Sequence, residues 1–183
     1  SRTSFRSDPK NPMSIPGTSF PGATDARAYE KQPQVRTFTT EPLKAPVEWT
    51  GRIRAELFVS STARDTDFIV RVSDVYPDGR SILIVDYPWR ARYREGFDKE
   101  VLMEPGEVTK IAFDVGWLSQ VFNTGHRIRV TVGSTGAPLY EPNPQTGGPQ
   151  TIDSLKDGIV ATNTIHHERT HASRILAPVP LGR

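Results

Sequence analysis

The sequence contains no cysteine. That excludes a disulfide framework, a thiol nucleophile and thiolate metal ligands, and it leaves the redox compartment open. No apolar run approaches the roughly 18–20 residues that carry a helix across a bilayer. Charge of one sign is also lacking. Lys and Arg total 23 against 21 Asp and Glu, for a net charge of +2. The pI near 9.0 therefore reflects a small surplus and not a basic stripe. A phosphate-tracking surface for nucleic acid is disfavoured on this ground. No leader of basic and then apolar residues opens the chain, and its first residue is Ser1, which reads as a processed protein or an excised domain.

What the chain has in quantity is backbone punctuation. Its 183 residues include 16 Pro and 14 Gly, a density that argues against long helices and for short strands joined by turns. Hydrophobic residues make up 36%, enough for one sizeable core. Arg outnumbers Lys by 17 to 6, and Arg is the better partner for bidentate, partly buried ion pairs.

Two regions differ in pattern. Residues 1–34 carry Asp8-Pro9-Lys10-Asn11-Pro12, Ile15-Pro16-Gly17 and Pro21-Gly22 with no hydrophobic period, and read as an extended arm lying on a surface made by something else. From Val35 the period becomes two. Ile53, Ala55, Leu57 and Val59 alternate with Arg54, Glu56, Phe58 and Ser60, and Phe68, Val70 and Val72 with Ile69, Arg71 and Ser73. Ile111, Phe113 and Val115, then Ile128, Val130 and Val132, repeat the pattern. Each run predicts a half-buried strand. Tyr76-Pro77-Asp78-Gly79-Arg80 predicts a hairpin turn, with Glu104-Pro105-Gly106 and Asn123-Thr124-Gly125 as further breaks. Strands are expected near 35–40, 47–60, 67–76, 80–95, 108–115, 127–134, 158–166 and 173–178. About eight antiparallel strands in residues 35–183 predict an all-β, jelly-roll type of β-sandwich. Tyr140 to Pro149 reads as a long loop, and Gly116 to Phe122 as a short helical turn.

Several constellations carry chemistry. His167-Glu168-Arg169-Thr170-His171 matches H-E-x-x-H, in which two His one helical turn apart bind zinc and the Glu polarises a water. Its flanks favour strands, however, and no metal-ligating residue follows His171. A charged loop is the plainer reading, with a small zinc peptidase using His167, Glu168 and His171 as the remote one. Gly133-Ser134-Thr135-Gly136 has the wrong spacing for a nucleophile elbow and leads into Ala137-Pro138 instead of a helix. Asp65-Thr66-Asp67, with Asp74 and Asp78 nearby, offers oxygens for calcium without an EF-hand spacing; a turn entering a strand accounts for it. Arg90, Arg92 and Arg94 share one face if the strand runs through them, either as solvated edge charges or as an interface with another domain. Trp89, Trp117 and Tyr140 would suit a sugar platform or ordinary packing. No catalytic residue, metal ligand or cofactor is assigned.

Together, Gly51-Arg52-Ile53-Arg54-Ala55-Glu56-Leu57-Phe58-Val59-Ser60-Ser61, Asp65-Thr66-Asp67-Phe68 and Asp74-Val75-Tyr76-Pro77-Asp78-Gly79-Arg80 resemble one family. It is the C-terminal domain of the X-Pro dipeptidyl-peptidase and CocE/NonD hydrolases. Arg92-Tyr93-Arg94-Glu95, Gly125-His126-Arg127-Ile128-Arg129, Gln145-Thr146-Gly147-Gly148 and Ser173-Arg174-Ile175-Leu176-Ala177-Pro178-Val179 continue the resemblance in order. It implies a galactose-binding-like jelly roll that follows an α/β-hydrolase domain in the same polypeptide and helps wall its cleft. The triad belongs to that upstream domain, so no catalytic residue is carried onto this chain. Asp8 to Pro12 is similar to the family's linker, and the parent's substrate would be an ester or a peptide. Arg90, Arg92, Arg94 and Tyr140 become the candidates for interdomain or cleft-facing residues. Where many relatives have an aromatic before Pro, this chain has Gly133 to Pro138. A carbohydrate-binding module is the alternative from another class.

Overall fold

Period-two runs fold into strands because every second side chain then meets the same apolar layer. The computed structural model describes residues 1–15 and 24–180, so the Pro16-Gly17 and Pro21-Gly22 breaks lie outside the described residues. Its strands are β1 (Arg2–Ser7), β2 (Arg36–Thr39), β3 (Val47–Ser61), β4 (Asp67–Val75) and β5 (Ser81–Arg90). They continue with β6 (Thr109–Phe122), β7 (Arg127–Gly133), β8 (Ala161–Glu168), β9 (His171–Ala172) and β10 (Arg174–Leu176). One helical turn, α1 (Arg27–Glu30), precedes β2.

The strands form two antiparallel sheets packed as a sandwich. In one, β8 and β10 lie successively along one side of β3, β6 runs along its other side, and β1 and β9 pair with β8. The other has the order β2-β7-β4-β5. Between them sit Ile53, Ala55, Leu57 and Val59 of β3, Ile111, Phe113 and Val115 of β6, Phe68 and Val70 of β4, and Ile165 of β8. At the β4–β5 turn the Tyr76 amide donates to the Arg80 carbonyl, and Gly79 takes φ +88°, as the Pro-Asp-Gly signature requires.

Three expectations are corrected. Gly116 to Phe122 is not helical, because β6 continues to Phe122 through a bulge where Ile53 and Arg54 of β3 face Gly116 and Asp114. The skipped Val115 inverts the alternation, so the inward positions change from Ile111 and Phe113 to Leu118 and Phe122. The strand expected over 80–95 ends at Arg90, where Ala91–Tyr93 form a 3-10 turn. The opening segment, in turn, lies on this domain itself. Arg2 to Ser7 pair with Ala161 to His166, with Phe5 buried, and Met13, Ile15 and Tyr29 pack as a second cluster with Val35. That cluster lies on the outer face of the second sheet, where Tyr29 covers Arg71, and contributes to the burial of all nine residues of β4.

Candidate functional site

Of the arginines and carboxylates singled out by sequence, Arg90, Arg92, Asp65 and Asp67 meet beneath the 134–150 loops, whereas Asp74 pairs with His126 and Asp78 with Arg80. Asp65 and Asp67 stand two residues apart at the entry to β4 and are both buried. Buried carboxylates require close cationic partners, and the sheet register supplies the first by setting Arg90 opposite Asp67. Arg90 grips Asp67 with two bonds, Nε to Oδ1 at 2.9 Å and Nη2 to Oδ2 at 3.0 Å. The 3-10 turn then directs Arg92 to Asp65, with the backbone amide donating to Oδ1 at 3.0 Å and Nε to Oδ2 at 2.7 Å. Arg92 also donates to Glu100 and to the Gly148 carbonyl. Arg94 donates to the backbone carbonyls of Ala91, Val101 and Leu102.

The three cations therefore do not share a strand face, since the strand stops at Arg90. Nor are they solvated edge charges. Arg92 is 2% exposed, and each of the three guanidiniums finds its partners within the chain. Burial pushes the Asp67 carboxyl above its ordinary range, against the pull of Arg90 and Asn143. The Asp65 and Asp67 oxygens that calcium would need are bonded to Arg90, Arg92, Asn143 and Gln150.

Two residues that the sequence does not mark as site residues tie the loop down. Asn143 Nδ2 donates to Asp65 at 2.8 Å and to Asp67 at 2.7 Å, bridging the two ion pairs. Gln145 accepts from the Thr66 hydroxyl and donates to the carbonyls of Ser7 and Ile159. Asn163 extends the network by donating to Thr66 and to Ser134 Oγ. A Pro-rich loop with scattered amides carries no periodic signal for such anchoring. Only Asn143-Pro144-Gln145 preceding Gly147-Gly148 marks it as more than a linker.

Tyr140 sits on the neighbouring surface, packed against the Met13, Ile15 and Tyr29 cluster. Beneath it Arg71 is 2% exposed, lies 4.6 Å from the Tyr29 ring centroid and reaches Asp86 at 3.7 Å. Burial raises the Tyr140 phenol, and the adjacent Asp86 carboxylate adds to the shift. Tyr29 is raised by burial as well, and its hydroxyl donates to the Thr135 carbonyl at 2.9 Å. The 133–138 loop is thus held from below: Thr135 Oγ1 accepts from the Met13 amide and Ser134 Oγ from Asn163. Ser134 is buried in these contacts, and no elbow forms around it.

The H-E-x-x-H string makes no metal centre. It spans the end of β8, a two-residue turn and β9, with Glu168 paired to His171. His167 faces inward onto Phe38 at 5.0 Å between ring centroids, while His171 packs on Phe58 of the outer sheet face at 5.4 Å. Helical spacing would bring the two imidazoles together; a hairpin sends them to opposite faces. Among the described residues no group of three or more His, Cys, Asp or Glu is placed to hold a metal ion. Of the candidate platform aromatics, Trp89 is stacked on Phe113 at 5.4 Å, whereas Trp117 is exposed beside Arg52.

The fold and the buried network define a class: an all-β sandwich whose buried carboxylates and arginines are paired within the chain. Residues 4–176 match the family described as the X-Pro dipeptidyl-peptidase C-terminal non-catalytic domain, and the chain belongs to that family. It is 41% identical over 178 residues to cocaine esterase from Rhodococcus sp. (strain MB1 Bresler), covering 94% of this chain and 31% of that protein. An aminopeptidase from a marine sediment Thaumarchaeota archaeon is similar over 99% of this chain and 33% of its own, with TM-score 0.89 and 28% identity. An α-amino acid ester hydrolase gives TM-score 0.89 and 28% identity over 98% of this chain and 32% of its own. The chain thus spans about a third of the length of these relatives.

Proposed function

We propose that this chain is the non-catalytic C-terminal sandwich of a larger serine hydrolase, of X-Pro dipeptidyl-peptidase or acyl esterase type. It packs on an α/β-hydrolase domain of the same polypeptide and helps shape the cleft. The observation that carries this is the match itself: nearly the whole chain aligns with a domain described as non-catalytic, and with only 31% of an esterase. The chemistry is then supplied elsewhere through an acyl-enzyme, and this domain contributes shape. The end bearing Tyr140 and the Arg90–Arg94 turn faces the cleft. Arg90 and Arg92 act there as positioning residues, holding the 141–150 loop through Asp65, Asp67 and Asn143.

The test compares the 183-residue chain with the full-length polypeptide on aryl esters and Ala-Pro anilides. Turnover is expected in the longer protein alone, abolished by a serine-directed phosphonate. Phosphonate-sensitive turnover by the short chain would overturn the proposal, as would a full-length polypeptide that hydrolyses neither substrate class.

A further inference from the structure

One side of the sandwich is left open. A cavity of about 380 Å³ enters between the edges of the two sheets, with Phe38 and Thr39 of β2 on one wall and Ile175 of β10 on the other. Trp49, Leu57 and Val130 line it as well, so the lining is mostly apolar. Its volume falls in the range of roughly 300–1,000 Å³ found for small-molecule pockets, but its walls favour a different occupant. Among the described residues β2 is the last strand of its sheet and pairs only with β7, while β10 pairs only with β3. Among the described residues no further strand pairs with either edge along the opening, and such edges recruit an added strand.

The register of β1 indicates where that strand comes from. β1 is antiparallel to β8 and begins with Arg2 opposite His166. Ser1 stands at His167, whose amide donates to the Ser1 carbonyl at 2.9 Å and whose Nε2 lies 3.2 Å from Thr3 Oγ1. His167 itself lines the mouth of the slot and packs on Phe38. Prolonged backward in extended geometry, the chain would pass β8 and β9 and run across the opening between β10 and β2. The relatives supply the polypeptide for this, because about two thirds of their length lies outside the matched region.

We infer that the slot is the seat of an extended segment preceding Ser1 in the longer polypeptide, which lays alternate apolar side chains against Phe38, Trp49 and Val130 and completes the sheet edge. The inference rests on the proposed reading of this chain as part of a larger hydrolase, and goes beyond it by assigning the slot to strand addition instead of to substrate or sugar.

Amide hydrogen exchange on the full-length polypeptide tests it, with Val130→Glu placing a charge in the slot. In the parent protein the segment before Ser1 and the amides of Arg36–Thr39 are expected to be protected. In Val130→Glu that segment should exchange at least tenfold faster while β4 stays protected. If β4 also loses protection, the milder Val130→Thr replaces it, with the same segment expected to speed up selectively. A segment before Ser1 that exchanges freely in the parent, or that is unaltered by both variants, would overturn the assignment. Hydrolysis by the parent protein is measured in the same preparation, so failure of the slot assignment and failure of the hydrolase reading are told apart.

Discussion

At the scale of single residues, burial decides what an ion pair is worth. Arg92 and Asp65 are 2% and 0% exposed, and the guanidinium is the main counter-charge of that carboxylate. Arg174 grips Glu56 with comparable geometry, at 2.6 Å, but its side chain is 59% exposed. Truncating one partner of a buried pair strands the other charge and costs about 3–5 kcal/mol, whereas an exposed pair contributes about 0–1 kcal/mol. Arg92→Ala is therefore expected to lower the unfolding free energy by about 3–5 kcal/mol, and Arg174→Ala by far less, since solvent screens that pair. Urea denaturation of the two variants checks this; equal effects would place Arg92 in a better solvated setting than its burial indicates. The carboxylates Asp65 and Asp67 and the arginines Arg90 and Arg92 stand out in the sequence as two separate groups. Their pairing does not, because it depends on a register between strands and on the strand ending at Arg90, neither of which a period-two pattern encodes.

At the scale of elements, the legible strands were those whose alternation is uninterrupted. β3, β4 and β7 lie close to where Ile53–Val59, Phe68–Val72 and Ile128–Val132 predict them. The alternation of β6 is legible only as far as Val115, since the bulge inverts its phase and a phase change looks like the end of a strand. β1 carries no period-two signal, because only one of its six residues, Phe5, is a large apolar group turned to the core. The bulge also makes Gly116 hard to replace. Its φ is +149°, and a Cβ there would lie 2.7 Å from Val85 Cγ2 on the facing sheet. Gly79 has φ +88° with open space around it. Gly116→Ala combines backbone strain with overpacking, which typically costs about 1–3 kcal/mol, and Gly79→Ala carries the backbone part alone. Thermal unfolding should accordingly rank Gly116→Ala as the less stable variant. The reverse order would mean that β5 yields easily at Val85.

At the scale of the whole molecule, the opening residues decide whether this is a sandwich with a linker or a sandwich that begins at β1. A Pro-punctuated stretch with no period looks dispensable, yet β1 adds a six-residue ladder to β8. Phe5, Met13, Ile15 and Tyr29 are buried, and Tyr29 lies over the Arg71 guanidinium. Fully burying a large apolar side chain contributes about 1.5–3 kcal/mol, and whole domains are stable by only about 5–15 kcal/mol. Losing four such groups, and uncovering Arg71 and the outer face of β4, removes an amount comparable to the entire stability. Deleting residues 1–34 is therefore expected to abolish cooperative unfolding, where a true linker would be removed without effect. Calorimetry of the truncated chain separates the two outcomes: a sharp transition near the parent's temperature would restore the arm to the role of linker. Loss of the transition would mean that residues 1–34 contain one of the sandwich's structural strands. Displacement of β1 would then be transmitted directly to β8, whose Asn163 reaches the Thr66 and Ser134 contacts beneath the 134–150 loops.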